Sequence, residues 1–217
     1  MPELPEVETI ARNLRDGKDG QPLVGQSILS AEVFWNKSVA EPSAAEFRER
    51  VAGQTMREIG RRAKFMVVSL DQDYLLFHLR MSGDLRMESD LDEGGQVRQA
   101  APHDRIILHL AQGGRLAFND PRKFGRAWLV GDPQTILDDL GPEPLADDFS
   151  AQELYRRLHV HHRQLKPLLL DQTFIAGLGN IYTDEALHRA RLHPNLLSSE
   201  VSVEETDDLW KAIREVL

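Results

Sequence analysis

Residues 166–185 read KPLLLDQTFIAGLGNIYTDE, a pattern typical of two helices joined by a tight glycine turn. Gly177 and Gly179 form the predicted turn, and Asn180 is suited to cap the following helix. Free backbone amides at such a helix start are a phosphate-binding feature. The run is not a dinucleotide fingerprint, because a third glycine and a preceding strand are missing. The segment is therefore either a packing device or a reader of nucleic acid.

The sequence on either side of this segment divides into a β-rich part and a helical part. Apolar residues have helical spacing at the N-terminus, where Val7, Ile10, Ala11 and Leu14 form a stripe, and again near 44–51. Short β-rich runs separated by Gly, Asp and Pro turns fill residues 23–130. Beyond them the helical pattern covers residues 151–158, 165–171, 180–190 and 204–217.

The acidic, proline-rich run DLGPEPLADD lies between the two parts and is typical of a linker. The sequence predicts an α+β protein in three segments. An N-terminal helix and an antiparallel β-sandwich occupy 1–135, a hinge occupies 136–150, and a helical domain occupies 151–217. The apolar stripe of the last helix runs to Leu217, which indicates that the chain is cut there or that the stripe docks on something further.

Composition narrows the classes of protein and of site. The 217 residues contain no cysteine, which excludes disulfides, thiol nucleophiles and thiolate zinc sites. There is no long apolar run and no basic signal-peptide start, so we expect a soluble, cytoplasmic protein with no membrane partner. The net charge of −9 is concentrated in the acidic stretches 84–93, 132–148 and 198–208, whereas 105–126 and 156–166 are basic.

The N-terminus carries the first candidate chemistry. Met1 before a small residue is commonly removed, which would expose the secondary amine of Pro2. Such an amine can attack a sugar carbon and form an iminium ion. Glu3 could then act as a general acid on the sugar ring oxygen, with Glu6 one turn further along the helix. Alternatively, Pro2 and Pro5 only start a helix whose dipole the glutamates satisfy.

Three loops in the β-rich part combine cations with a large apolar residue. RRAKF presents Lys64, HLRMSG presents His78, Arg80 and Met81, and NDPRKFG presents Arg122, Lys123 and Phe124. Cations hold phosphates, and an exposed apolar side chain can be inserted into a base stack. Each loop alone is also compatible with a β-turn that carries a solvated cation.

Taken together, these segments resemble the bacterial formamidopyrimidine-DNA glycosylases, which excise oxidised purines such as 8-oxoguanine and formamidopyrimidines and nick the abasic site. PELPEVET, RRAKF, HLRMSG, PHD, DPRKFG, LGPEPL, KPLLLDQ and GLGNIY occur in the family order across residues 2–195. The resemblance implies a β-sandwich, a hinge and a helix-two-turns-helix domain. It implies double-stranded DNA with oxidised bases or abasic sites as the partner of a monomeric, nucleoid-associated enzyme.

The resemblance also implies roles for individual residues. Pro2 is the Schiff-base nucleophile, Glu3 the proton donor and Lys64 the cation assisting β-elimination. Glu6 and Lys166 contribute to lesion recognition. Met81, Arg122 and Phe124 fill the void left by the extruded nucleotide. The DNA backbone is held by a larger set, namely His78, His103, Lys123, His161, Arg163, Asn180 and Tyr182.

The chain departs from the family pattern in ways that leave alternatives open. The family continues into a lesion-capping loop and a four-cysteine zinc finger, which this sequence lacks, so we expect no metal or cofactor in this chain. A damage-binding protein with little turnover is therefore an alternative to the enzyme, and a general helix-turn-helix binder is another. HVHHR has histidines where the family shows Lys or Arg, and His159, His161 and His162 are also considered as a metal cluster.

Overall fold

The computed structural model describes residues 1–18, 21–92 and 94–217, so Glu93, the last acidic residue of 84–93, lies outside the described residues. The chain forms two compact units. One consists of Met1–Pro2 and Glu6–Ile136, the other of Glu3–Pro5 and Leu137–Leu217. We call them the β unit and the helical unit.

The β unit contains most of helix α1 (Leu4–Asp16) and two sheets. Its other elements are β1 (Ile28–Val33), a short 3-10 helix (Asn36–Ser38), β2 (Val39–Glu41), α2 (Ala44–Val51), β3 (Glu58–Arg62), β4 (Phe65–Ser69), β5 (Tyr74–His78), β6 (Asp84–Glu88), β7 (Asp104–Leu110), β8 (Arg115–Asn119), β9 (Arg126–Val130) and α3, which begins at Gln134.

The two sheets of the β unit have the orders β1-β7-β8-β6 and β2-β9-β5-β4-β3. All pairs are antiparallel except β2 with β9, which is parallel and differs from the all-antiparallel expectation. The sheets face each other across one apolar core, in which the rings of Phe77 and Phe118 lie 5.4 Å apart. Val7, Ala11 and Leu14 of α1 are buried in the same core, as the helical spacing predicts.

The helical unit contains α4 (Ala151–Val160), α5 (Leu165–Leu169), α6 (Asn180–Arg189) and α7 (Val203–Val216). The last residue of α3 (Gln134–Leu137) also belongs to this unit. Its core is built from the apolar faces of these helices. The proline-rich segment before α4 packs onto α7: Trp210 donates to the Phe149 carbonyl at 2.8 Å, and Arg214 donates to the Pro144 carbonyl at 3.0 Å. Among the described residues, no helix is long and apolar enough to cross a membrane.

Candidate active site

Glu3 is held at the N-terminus of α6. Its Oε2 accepts hydrogen bonds from the amides of Gly179 at 2.7 Å and Tyr182 at 3.3 Å, and its Oε1 accepts from the amide of Ile181 at 2.9 Å. The residue is only 1% exposed. Amide donors and the positive end of the helix compensate a buried carboxylate that water no longer solvates. The helix start therefore holds a fixed anion belonging to the protein.

This arrangement corrects two expectations about the glycine turn. The cap residue of α6 is Gly179, and Asn180 is the first residue of the helix, so Asn180 is not the N-cap. The helix start is also not a free phosphate site, because the Glu3 carboxylate uses its amides. Sequence spacing could not show this, since Glu3 lies 176 residues before Gly179.

The glycine turn is shaped to receive the N-terminal residues. Gly177 adopts a φ of +100°, and its carbonyl accepts a hydrogen bond from the Leu4 amide at 3.2 Å. A β-carbon on Gly177 would overlap the Leu4 side chain, and one on Gly179 would overlap the Glu3 carboxylate. Gln172 accepts from the Gly177 amide at 3.0 Å and so holds the turn from the other side. Glycine at both positions therefore allows the turn to approach Leu4 and Glu3 closely.

The remaining predicted residues near the N-terminus differ in exposure. Pro2 is half-buried immediately before Glu3, and Glu6 is exposed in the first turn of α1. The interpretation of the terminus as only a helix start is therefore incomplete, because Glu3 caps α6 and precedes the first residue of α1.

The predicted cations of the helical unit are already engaged by acidic partners. Lys166 Nζ lies 2.8 Å from Asp184, and Arg163 Nη1 lies 2.8 Å from Asp171. The hydrogen bond from Arg163 holds the pKa of Asp171 below its ordinary value. Asp184 was not among the predicted residues, and its position 18 residues after Lys166 gives no local signal of the pairing.

The other predicted contacts of this unit vary in accessibility. Asn180 and Arg163 are exposed, whereas Tyr182 is half-buried against the helical core. The His161 ring makes an edge contact with Phe174 at 5.6 Å, and His162 Nδ1 lies 2.9 Å from Ser199 Oγ. Throughout the described part of the chain, no group of three or more His, Asp or Glu residues has the arrangement of a metal site, and this includes the histidines of HVHHR.

In the β unit, Lys64 and His78 are both buried. Lys64 follows Ala63, whose φ of +53° makes the turn between β3 and β4. Burial, together with the charges of Arg80 and Lys64, lowers the pKa of His78 from 6.5 to about 3. The imidazole is therefore neutral, and its Nδ1 accepts the Arg80 amide at 3.1 Å. That bond leaves the hydrogen on Nε2, so His78 is a neutral hydrogen-bond donor.

Met81, Arg122 and Phe124 lie on two loops of the β unit. Met81 is 46% exposed and Phe124 is 49% exposed, so both side chains are accessible at the surface. The Arg122 guanidinium lies over the Phe124 ring at 5.3 Å. The pair thus presents a cation and an apolar face together at the surface, as a base-stack wedge requires.

Lys123 lies between Arg122 and Phe124, and His103 directly precedes β7; both adopt left-handed backbone conformations, with φ of +62° and +76°. The Lys123 ammonium lies 4.2 Å from the centre of the Trp35 ring. His103 is exposed, and its Nδ1 lies 3.5 Å from Arg105. Trp35 was not predicted from the sequence, and the short 3-10 helix that follows it offers no motif that would have indicated the contact.

Comparison with known proteins places these features in a family. A model of the formamidopyrimidine-DNA glycosylase N-terminal domain matches residues 1–127, and a model of the family's H2TH domain matches residues 140–217. The chain belongs to the formamidopyrimidine-DNA glycosylase family. It is a DNA glycosylase of base excision repair, with DNA as its partner.

Named members of the family are similar over the whole chain. The formamidopyrimidine-DNA glycosylase of Pelotomaculum thermopropionicum is 43% identical over 224 residues, covering 100% of this chain and 76% of the relative. That of Chloroflexus aurantiacus is 45% identical over 222 residues, covering 100% and 75%. The chain thus spans about three quarters of the length of these glycosylases.

Solved structures agree with the family assignment. The complex between Lactococcus lactis Fpg and an abasic-site DNA matches with a TM-score of 0.87 and 33% identity, covering 99% of this chain and 76% of that protein. The wild-type L. lactis protein with N7-benzyl-Fapy-dG DNA matches with a TM-score of 0.88 and 34% identity, covering 99% and 77%. The predicted α+β fold with a helix-two-turns-helix domain is confirmed.

Proposed function

We propose that this glycosylase removes oxidised purines from duplex DNA and cleaves the resulting abasic site through a Schiff base on Pro2. The observation that carries the proposal is the Glu3 carboxylate, buried and held by the α6 amides directly beside Pro2 in the chain. Relatives bound to N7-benzyl-Fapy-dG and to abasic-site DNA support the substrate class.

The proposed reaction begins at the nitrogen of Pro2 once Met1 has been removed. Its lone pair attacks C1′ of the damaged nucleotide, the glycosidic bond breaks, and the bond electrons leave with the base, which takes a proton from solvent. The nitrogen now carries a positive charge and a hydrogen. That hydrogen must leave before an iminium ion can form.

Glu3 is suited to move this proton. The amide hydrogen bonds hold the carboxylate in place directly after Pro2 in the chain, so we assign it the transfer of the proton released by the Pro2 nitrogen. Transfer of the same proton to the deoxyribose ring oxygen opens the sugar and leaves the C1′–nitrogen double bond. The carboxylate is regenerated, and ring opening itself consumes no external acid.

Strand cleavage follows from the iminium ion. The positive nitrogen withdraws electrons, so a C2′ proton is lost and the 3′ phosphate leaves with its bonding electrons. We assign Lys64 to stabilise this leaving phosphate, because a buried ammonium exerts a stronger field than a solvated one.

The remaining residues would hold the damaged duplex. Met81, Arg122 and Phe124 would fill and wedge the stack, and Glu6 and Lys166 would contact the lesion. Phosphates would be bound by the larger set His78, His103, Lys123, His161, Arg163, Asn180 and Tyr182. His78 would act as a neutral donor, as its buried imidazole requires.

The proposal is tested by incubating the Met1-processed protein with duplexes that carry 8-oxoguanine, a formamidopyrimidine or an oxidised pyrimidine. Base release and strand nicking are measured separately. We expect release of both oxidised purines, nicking without alkali, and loss of both activities in Glu3→Gln. Binding of lesion duplexes without release or nicking would replace the proposal with a damage-binding function.

A further inference from the structure

Asp120 is a buried carboxylate between two loops of the β unit, one that carries Met81 and one that carries Arg122 and Phe124. It follows β8, is 0% exposed and lies two residues before Arg122. No role for it follows from the residues assigned so far. A buried charge is costly unless hydrogen bonds compensate it, so its partners indicate what it does.

The carboxylate of Asp120 bonds to both loops. Its Oδ1 accepts a hydrogen bond from the hydroxyl of Ser82, the residue after Met81, at 2.5 Å, and another from the Arg122 amide at 3.2 Å. Its Oδ2 accepts a hydrogen bond from the amide of Gly125, the residue after Phe124, at 2.7 Å. One side chain therefore joins the loop that carries Met81 to the loop that carries Arg122 and Phe124.

The surroundings restrict how far this junction can move. Arg105 is buried, and its Nε donates to the Asp120 carbonyl at 2.7 Å. A β-carbon on Gly125 would lie 2.5 Å from the Phe118 ring, and one on Gly83 would lie 2.5 Å from the Leu79 carbonyl. Neither glycine can therefore be replaced by a larger residue unless the Phe118 ring or the Leu79 backbone moves.

We propose that Asp120, through its bond to Ser82, is a positioning residue that holds Met81 at a fixed distance from Arg122 and Phe124. The inference rests on the proposed function, in which these three side chains enter the DNA stack together. If these residues were on two separately mobile loops, each insertion into the stack would cost the conformational entropy of ordering both loops. A preformed wedge avoids that cost, so the junction acts on nucleotide extrusion and not on the sugar chemistry.

Ser82 provides the most selective variant. Ser82→Ala removes the bond between the loops and leaves the Arg122 and Gly125 amide bonds to Asp120, whereas Ser82→Thr keeps a hydroxyl. Asp120→Asn replaces one carboxylate oxygen with an NH2 group that cannot accept, so at least one of the three bonds is lost and the remaining acceptor is uncharged. Ser89→Ala is the matched control, since its hydroxyl accepts only an exposed local amide, that of Leu91, among its hydrogen bonds in the described chain. Thermal unfolding establishes whether each variant is folded.

Two readouts separate extrusion from chemistry. A 2-aminopurine next to 8-oxoguanine in a duplex reports unstacking by stopped-flow fluorescence. Borohydride trapping on a single-stranded abasic oligonucleotide reports the Pro2 chemistry, since no stack or opposite strand is present. We expect Ser82→Ala to slow unstacking and duplex excision about tenfold, the lower end of the effect of one hydrogen bond to a charged group, and Asp120→Asn to slow both roughly 10- to 100-fold. Single-strand trapping should stay at the wild-type rate.

The outcomes distinguish the inference from the function on which it rests. Rescue by Ser82→Thr with an unaffected Ser89→Ala control would support positioning. Unchanged unstacking in a folded Ser82→Ala variant would overturn the inference, whether or not Asp120→Asn folds. An equal loss in single-strand trapping would also overturn it, because the effect would then reach the sugar chemistry. Failure of the wild type both to excise 8-oxoguanine from the duplex and to trap the single-stranded abasic site would instead reject the proposed function.

Discussion

Lowering the pH from 7 to 5 is expected to destabilise the β unit through one buried side chain, His78. Its imidazole packs edge-on against Phe65 at 4.7 Å and is close enough to Lys64 and Arg80 to feel both charges. Protonation would add a third positive charge in a site removed from water. Folding therefore excludes the proton that the unfolded chain readily accepts.

The magnitude follows from the two pKa values. The folded pKa is about 3 and the ordinary value is 6.5, so between these limits the unfolded state binds more protons than the native state. Stability is then complete above about pH 6.5 and falls progressively as the pH drops toward 3. Integrating the proton difference gives a loss of roughly 2 kcal/mol in the free energy of unfolding between pH 7 and pH 5.

The assay compares wild type with His78→Gln, which cannot titrate in this range. Urea unfolding followed by tryptophan fluorescence at pH 7 and pH 5 gives the pH-dependent loss for each protein, and the difference isolates His78 from the other seven histidines. Ring-proton NMR gives a direct check, because the His78 resonance should not move between pH 5 and 8. Equal pH losses in the two proteins, or a His78 resonance that titrates near pH 6, would refute the reasoning.

Two further predictions concern the helical unit. Gly179→Ala places a methyl group against the Glu3 carboxylate, so base release should fall at least tenfold while the protein stays folded, measured as single-turnover excision. Asp184→Asn frees Lys166 from an exposed ion pair and should tighten binding to a lesion duplex about two- to fivefold relative to undamaged DNA, measured by fluorescence anisotropy.

Matched variants make both predictions decisive. Gly131→Ala is the control for the first, because a β-carbon there meets no atom within 4 Å. Full activity of a folded Gly179→Ala variant would contradict the importance of the Glu3 position. For the second, Lys166→Met should abolish the gain, and a gain that survives in the double variant would show that the lysine is not the group released.

The elements with strong periodicity could be predicted from the sequence. Helix α1 follows from its apolar stripe, and the four C-terminal helices occur within a few residues of their expected bounds. The parallel pairing of β2 with β9 could not be predicted, because β2 has only three residues and no alternation to read. Its register depends on tertiary packing.

The candidate site was only partly predictable, for the same physical reason. Local motifs indicated Glu3 and the wedge residues, but the bonds that hold them connect positions far apart in the chain. Glu3 meets the α6 amides across 176 residues, and Ser82 meets Asp120 across 38. Spacing rules describe neighbours on one helix or strand and carry no information on such pairings.

The proposed role of Pro2 is tested most directly by borohydride trapping on a duplex with 8-oxoguanine opposite cytosine, using protein whose mass shows that Met1 is absent. We expect a covalent adduct that peptide mass spectrometry maps to the Pro2 nitrogen. It should be absent from a preparation that retains Met1, where that nitrogen is an amide, and strongly reduced in Glu3→Gln. An adduct on a lysine side chain, or none despite a free Pro2, would contradict the proposed chemistry.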